Sequence, residues 1–94
     1  MKVKKILPGY HSTLGKTIKK VKSYDNLWVA YLATHFTDET VLITSSYIYG
    51  SHTRVVTTLP DAESSYRLGL TTKKEYKEAL EKESVFNGLK IGKG

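Results

Sequence analysis

Apolar residues along this chain come in short blocks broken by polar turns, and their period changes from two to near four close to residue 70. Asn26 to Phe36 and Thr40 to Tyr49 are rich in β-branched and aromatic residues. Such residues fit a pleated, half-buried backbone, so each segment is predicted to be a strand. The polar Thr37-Asp38-Glu39-Thr40 between them reads as a hairpin turn. A two- or four-residue loop sets Phe36 opposite Val41. That register gathers Trp28, Ala30, Leu32, Phe36, Val41, Ile43, Tyr47 and Tyr49 on one face, the expected core. The other face, with Leu27, Val29, Tyr31, Ala33, His35, Leu42 and Ile48, is too apolar to be left wholly in water. Its cover is expected from the N-terminal segment, a second copy of the chain (a homo-oligomer) or a partner.

Gly50-Ser51 turns the chain into a third strand, Thr53 to Leu59, whose register depends on loop length. Pro60-Asp61 ends it, and residues 60–70 read as a loop with room for one helical turn from Pro60. Thr72-Lys73-Lys74-Glu75 has capping-box spacing. Tyr76, Ala79, Leu80 and Phe86 follow as the apolar stripe of a helix, stopped at Asn87-Gly88. Residues 89–94 are expected to be a flexible tail. At the other end, residues 1–13 form a basic lead-in closed by Pro8-Gly9. Leu14, Ile18 and Val21 have helical spacing, yet the same segment could enter a strand at Ile18. The reading is one α+β domain over 1–94: a three- to four-stranded antiparallel β-meander with one C-terminal α-helix packed on it.

Charge adds direction to this body. Residues 1–24 hold seven lysines and no acid, and the three segments 1–24, 25–70 and 71–94 carry +7, −3 and +2, making up the net +6. A field segregated in this way selects anionic partners. The residues expected to bind are Lys4, Lys5, Lys16, Lys19, Lys20, Lys22 and Arg54, with Lys16, Lys19 and Lys20 spaced for one helical face and Tyr47 and Tyr49 packing at the edge. Cations interleaved with aromatic rings also suit single-stranded nucleic acid. Lysine outnumbers arginine 13 to 2, which argues against forked, base-specific contacts.

Other chemistries are narrower. The chain has no cysteine, which removes disulfides, thiolate metal sites and a cysteine nucleophile. His11, His35 and His52 lack metal-ligand spacing, so no metal and no cofactor is expected. His35 and His52 each end a strand, and with Arg54 they could form the acid/base set of a small endoribonuclease, since imidazole titrates near neutrality. The more ordinary reading of two hairpin-end histidines is surface residues. Leu14-Gly15-Lys16-Thr17 imitates the end of a phosphate loop without its first glycine or its preceding strand. Only Ile6-Leu7 separates the basic start from Pro8-Gly9, too short for a secretion signal, and no stretch approaches a membrane span of ~20 apolar residues. A cytoplasmic location is expected, in a host cell if the chain is phage-encoded.

The run Leu14 to Val21, then Trp28-Val29, Phe36-Thr37-Asp38 and Val41-Leu42-Ile43, resembles the opening of small phage and bacterial accessory domains. In those a hairpin tip usually reads aspartate-glycine, and Glu39 stands here in place of the glycine. The resemblance implies a counter-defence type of role and transfers no ligand residues. The expected function is thus a non-catalytic, phage-type accessory or inhibitory factor engaging an acidic host protein through the basic face. Direct DNA or RNA binding is the alternative, followed by a nucleotide-signal sponge and a small ribonuclease.

Overall fold

In a computed structural model the chain forms one five-stranded mixed sheet with two helices, described over residues 1–50 and 52–91, with backbone alone for 83–91. The strands are β1 (Lys5–Ile6), β2 (Ile18–Asn26), β3 (Val29–Phe36), β4 (Thr40–Tyr47) and β5 (Thr53–Val56), with a 3-10 turn at Tyr10–Thr13. β2, β3 and β4 make an antiparallel meander. The far edge of β4 is shared: β1 runs parallel beside Thr40 and Val41, and β5 runs antiparallel beside Ile43 to Ser46. The α+β class is as expected. The sheet has one strand more than foreseen, and the extra strand is parallel. Leu14 to Val21 is not helical, because Ile18 begins β2.

The two hairpins depart from expectation for one physical reason, loop length. Asn26 to Phe36 is not one strand: Asn26 ends β2 and pairs with Val29, the first residue of β3, across the loop Leu27-Trp28. Leu27 takes φ 54, a conformation usually left to glycine, and an apolar loop shows none of the Asn-Gly signals of a hairpin. In the next turn His35, not Phe36, faces Val41. The loop holds three residues, Thr37 to Glu39, and Glu39 at φ 69 closes it with its amide donating to the Phe36 carbonyl at 3.1 Å. That one-residue slip turns β3 over relative to β4.

The core therefore combines Ala33 from the face expected to be outer with Val41 and Ile43 from the face expected to be inner. Val3, Leu68 and Leu70 cover them, and all six are buried. Trp28, Tyr47 and Tyr49 are 64%, 63% and 87% exposed, and Leu32 is 43% exposed, so none belongs to the core. Phe36 is buried, but in a satellite cluster with Leu7 and Leu42. The N-terminal segment thus covers one end of the second sheet face, while Val21 and Leu32 on that face remain exposed.

Helix α1 (Ala62–Arg67) lies against β2. Asp61 caps it by accepting the Ser64 amide at 3.3 Å, and Asn26 Nδ2 donates to Asp61 Oδ1 and Ser64 Oγ, each at 3.1 Å. The Arg67 guanidinium lies 5.9 Å from the centre of the Tyr24 ring. Gly69, at φ 76, ends the helix with its amide on the Tyr66 carbonyl, and Leu70 N–H reaches Ser65 O at 2.9 Å. This left-handed cap is what turns Leu70 back into the core. Helix α2 (Lys73–Ile91) opens with the expected reciprocal cap, Glu75 N–H to Thr72 Oγ1 at 3.1 Å and Thr72 N–H to Glu75 Oε1 at 3.0 Å.

α2 packs on α1 rather than on the sheet, through Tyr66 and Tyr76 rings stacked at 4.6 Å. The sheet face it was expected to cover is already taken by α1, Leu68 and Leu70. The helix also continues through Asn87-Gly88 to Ile91. A single interior glycine costs a helix about 1 kcal/mol, which weakens it without ending it. Ser51, the Phe86 side chain and residues 92–94 of the expected tail lie outside the described residues.

Candidate functional site

The structure divides the sequence-predicted binding residues between two ends of the sheet. The lysines gather at the end where β3 turns into β4. Lys4 N–H donates to the Glu39 carbonyl at 2.7 Å and Lys5 pairs with Thr40. Lys16 pairs with Asp38, and Lys19 Nζ lies 3.4 Å from Glu39 Oε1. A register shift between Ile18 and Lys20 inserts Lys19 as an extra residue, opposite none on β3. Past that bulge Lys20 and Lys22 alternate onto the face shared by His35 and Ala33. Lys2, Lys19, Lys20 and Glu39 line a hollow of about 70 Å³ beside Gly69. The expected helical face of Lys16, Lys19 and Lys20 is thus a loop residue and a strand bulge, yet their charges do converge.

Electrostatics confirm the crowding. The Lys20 ammonium is held below its ordinary pKa, by partial burial first and then by Lys2, Lys22 and Lys19, with only Glu39 opposing. Asp38 is pulled down to about 2 by the Lys16 ammonium and the Thr40 hydroxyl. Asp38 pairs with Lys16 and Glu39 with Lys19, and among the described residues Lys20 and Lys22 have no carboxylate within ion-pair distance.

The other end carries Arg54, Tyr47 and Tyr49. Beyond the cover of α1 the inner sheet face lies open, and Val29, Tyr31 and Ser45 become the floor of a cleft of about 260 Å³. Tyr47, His52 and Arg54 form its walls. Gly50 backs Tyr47, since a Cβ there would stand 3.2 Å from Tyr47 Cβ. Tyr49 turns away from the cleft and tilts against Trp28 with ring centres 6.2 Å apart. Arg54 pairs with Ser45 across the sheet. Lys20 and Tyr47 sit six β4 positions apart, since Lys20 lies across from His35 and Val41, which is about 20 Å of strand.

Comparison with family models, with curated proteins and with solved structures finds no match to this chain. Its chemistry has to be read from its own residues.

His35 and His52 are not brought together. His35 is 4% exposed, with Nε2 2.7 Å from the Leu68 carbonyl, so the ring donates a hydrogen bond that ties β3 to the end of α1. Burial, then Lys20, Lys22 and Lys19, holds its pKa below the ordinary value, while the bond to Leu68 pulls the other way. It is a neutral structural donor at the basic end, whereas His52 lines the cleft at the other. Among the described residues no three His, Asp or Glu side chains form a metal-binding group, and no helix is long and apolar enough to cross a membrane. The residues that sequence reasoning missed are Lys2, Tyr31 and Gly69. Lys2 and Tyr31 join their sites only through tertiary contact, while Leu68-Gly69-Leu70 carried the signal of a helix stop.

Proposed function

We propose that this chain is a binding protein that engages an acidic protein surface through the basic end formed by Lys2, Lys4, Lys5, Lys19, Lys20 and Lys22. The observation that supports this most is the convergence of lysines around the β3–β4 turn, with Lys20 and Lys22 in no ion pair among the described residues. Like charges held together raise the cost of the free state, and a carboxylate-rich surface relieves it. Asp38 and Glu39 sit inside the same patch. Mixed signs complement a folded protein surface, whereas a continuous polyanion would meet two repulsive carboxylates. Tyr47, the exposed ring at the other end, also lies about 20 Å of strand from Lys20, which favours a protein over a nucleic acid at this end. On this reading the chain acts as an accessory or inhibitory factor of the phage type that residues 14–43 resemble, and not by imitating DNA, because its net charge is +6.

The test compares the wild-type chain with Lys20→Glu/Lys22→Glu as bait in a bacterial lysate. The wild type retains an acidic protein at low salt and releases it near 0.3 M, while the double variant retains none and melts within a few degrees of wild type. Equal retention by both chains would sink the proposed surface. An oligonucleotide shift lost in the double variant would move the assignment to direct nucleic-acid binding.

A further inference from the structure

The cleft at the far end lies about 20 Å of strand from Lys20. We infer that it binds a nucleoside monophosphate, with the phosphate on Arg54 and the planar base against the Tyr47 ring. Arg54 supplies a planar fork suited to phosphate oxygens, and among the described residues it forms no ion pair. It stands on the short strand β5 directly across from Ser45, so the guanidinium and a hydroxyl approach one anion from adjacent strands.

The remaining groups fit the rest of such a ligand. Tyr31 lies on the floor, its pKa raised by burial and then by Asp61, with Arg54 acting in the opposite direction. Its hydroxyl lies on the same sheet face as Ser45 and Arg54, within reach of a sugar joined to the phosphate. Tyr47 presents an exposed ring, and aromatic rings stack on any base without sequence preference. At about 260 Å³ the cleft is slightly smaller than the ~300–1,000 Å³ typical of drug-sized ligands. One nucleotide fits that volume better than a dinucleotide.

The experiment titrates the full chain with uridine 5′-monophosphate, adenosine 5′-monophosphate, uridine, inorganic phosphate and an oligothymidylate, following backbone amides by NMR. The monophosphates are expected to shift Tyr31, Ser45, Tyr47 and Arg54, and to bind about tenfold more tightly than uridine or phosphate alone. Arg54→Gln weakens them about tenfold and leaves the melting curve in place, because the residue is exposed on an edge strand. Tyr31→Phe, which keeps the packing and removes the hydroxyl, also weakens them. Lys20→Glu/Lys22→Glu leaves the titration unchanged, which separates this site from the basic end. If the oligonucleotide binds more tightly and extends the shifts to Trp28 and Tyr49, the natural ligand is a nucleotide within a strand; equal affinity assigns a free nucleotide. No shift in the cleft up to about 5 mM ligand, or an Arg54→Gln titration identical to wild type, overturns the inference.

Discussion

Glu39 and Leu27 hold backbone angles, φ 69 and φ 54, that a Cβ makes costly. Left-handed backbone costs an ordinary residue about 1–2 kcal/mol. Replacing it by glycine removes that strain and returns part of the gain as unfolded-state entropy, about 0.4–1 kcal/mol. Glu39→Gly and Leu27→Gly are each expected to stabilise the fold by about 0.5–1 kcal/mol, a rise of several degrees in thermal midpoint. The exposed Lys19–Glu39 pair at 3.4 Å takes little from that gain. A lower midpoint in either variant would show that the turn is not strained.

His35 is the residue that ties stability to pH. Its folded pKa is depressed, chiefly by burial, so below about pH 6.5 the unfolded chain takes up a proton that the folded chain refuses. Stability is therefore full above pH 6.5 and falls as the pH drops toward the depressed folded value. Asp38 and Glu75, both lowered to about 2, add a separate loss as pH falls from about 4 toward 2. His35→Gln should lower stability at pH 7.5 by about 1–3 kcal/mol and flatten the midpoint between pH 7 and 5. A slope unchanged in that window would assign the proton uptake to another group.

Among the elements, the start of α2 shows a local signal surviving into the fold. Thr72 and Glu75 exchange side-chain bonds with each other's amides, and Glu75 Oε2 also meets the Met1 amino group at 2.6 Å. One carboxylate thus joins the first turn of α2 to the segment that carries Val3 into the core. Thr72→Ala should cost about 1 kcal/mol, read as a fall in thermal midpoint with the far-ultraviolet spectrum retained below it. An unchanged midpoint would mean that α2 frays without affecting the rest. The β2–β3 hairpin is the contrary case. Leu27-Trp28 looks like strand by composition, and only pairing across the loop shows it to be a turn.

Across the whole molecule, a three-residue loop decides what faces outward. Had Phe36 faced Val41, Ala30 and Leu32 would have shared the inner face with Val41, Ile43 and Tyr47, and Val29 and Tyr31 would have faced away from the cleft. With His35 there instead, Ala33 joins Val41 and Ile43 inside and the aromatic residues are left at the sheet's end. The binding residues then separate into a cationic end and an aromatic, arginine-bearing end. The charge-reversal test on Lys20 and Lys22 belongs to this scale. Their potential decays over about 8–10 Å in physiological salt, so it shapes encounter at one end and is screened at the other.

Composition and local pattern by themselves determined the α+β class, the strand-forming segments β4 and β5, the capping box of α2 and the excess of lysine near the amino terminus. Each of these depends on a residue's own preferences or on neighbours within four positions. Tertiary structure alone decided which sheet face is buried, where α2 docks, that His35 is an internal donor, and which cations share a surface. Those outcomes rest on strand register and on contacts between residues 10 to 40 positions apart, where a one-residue change in loop length inverts a face without altering any local propensity.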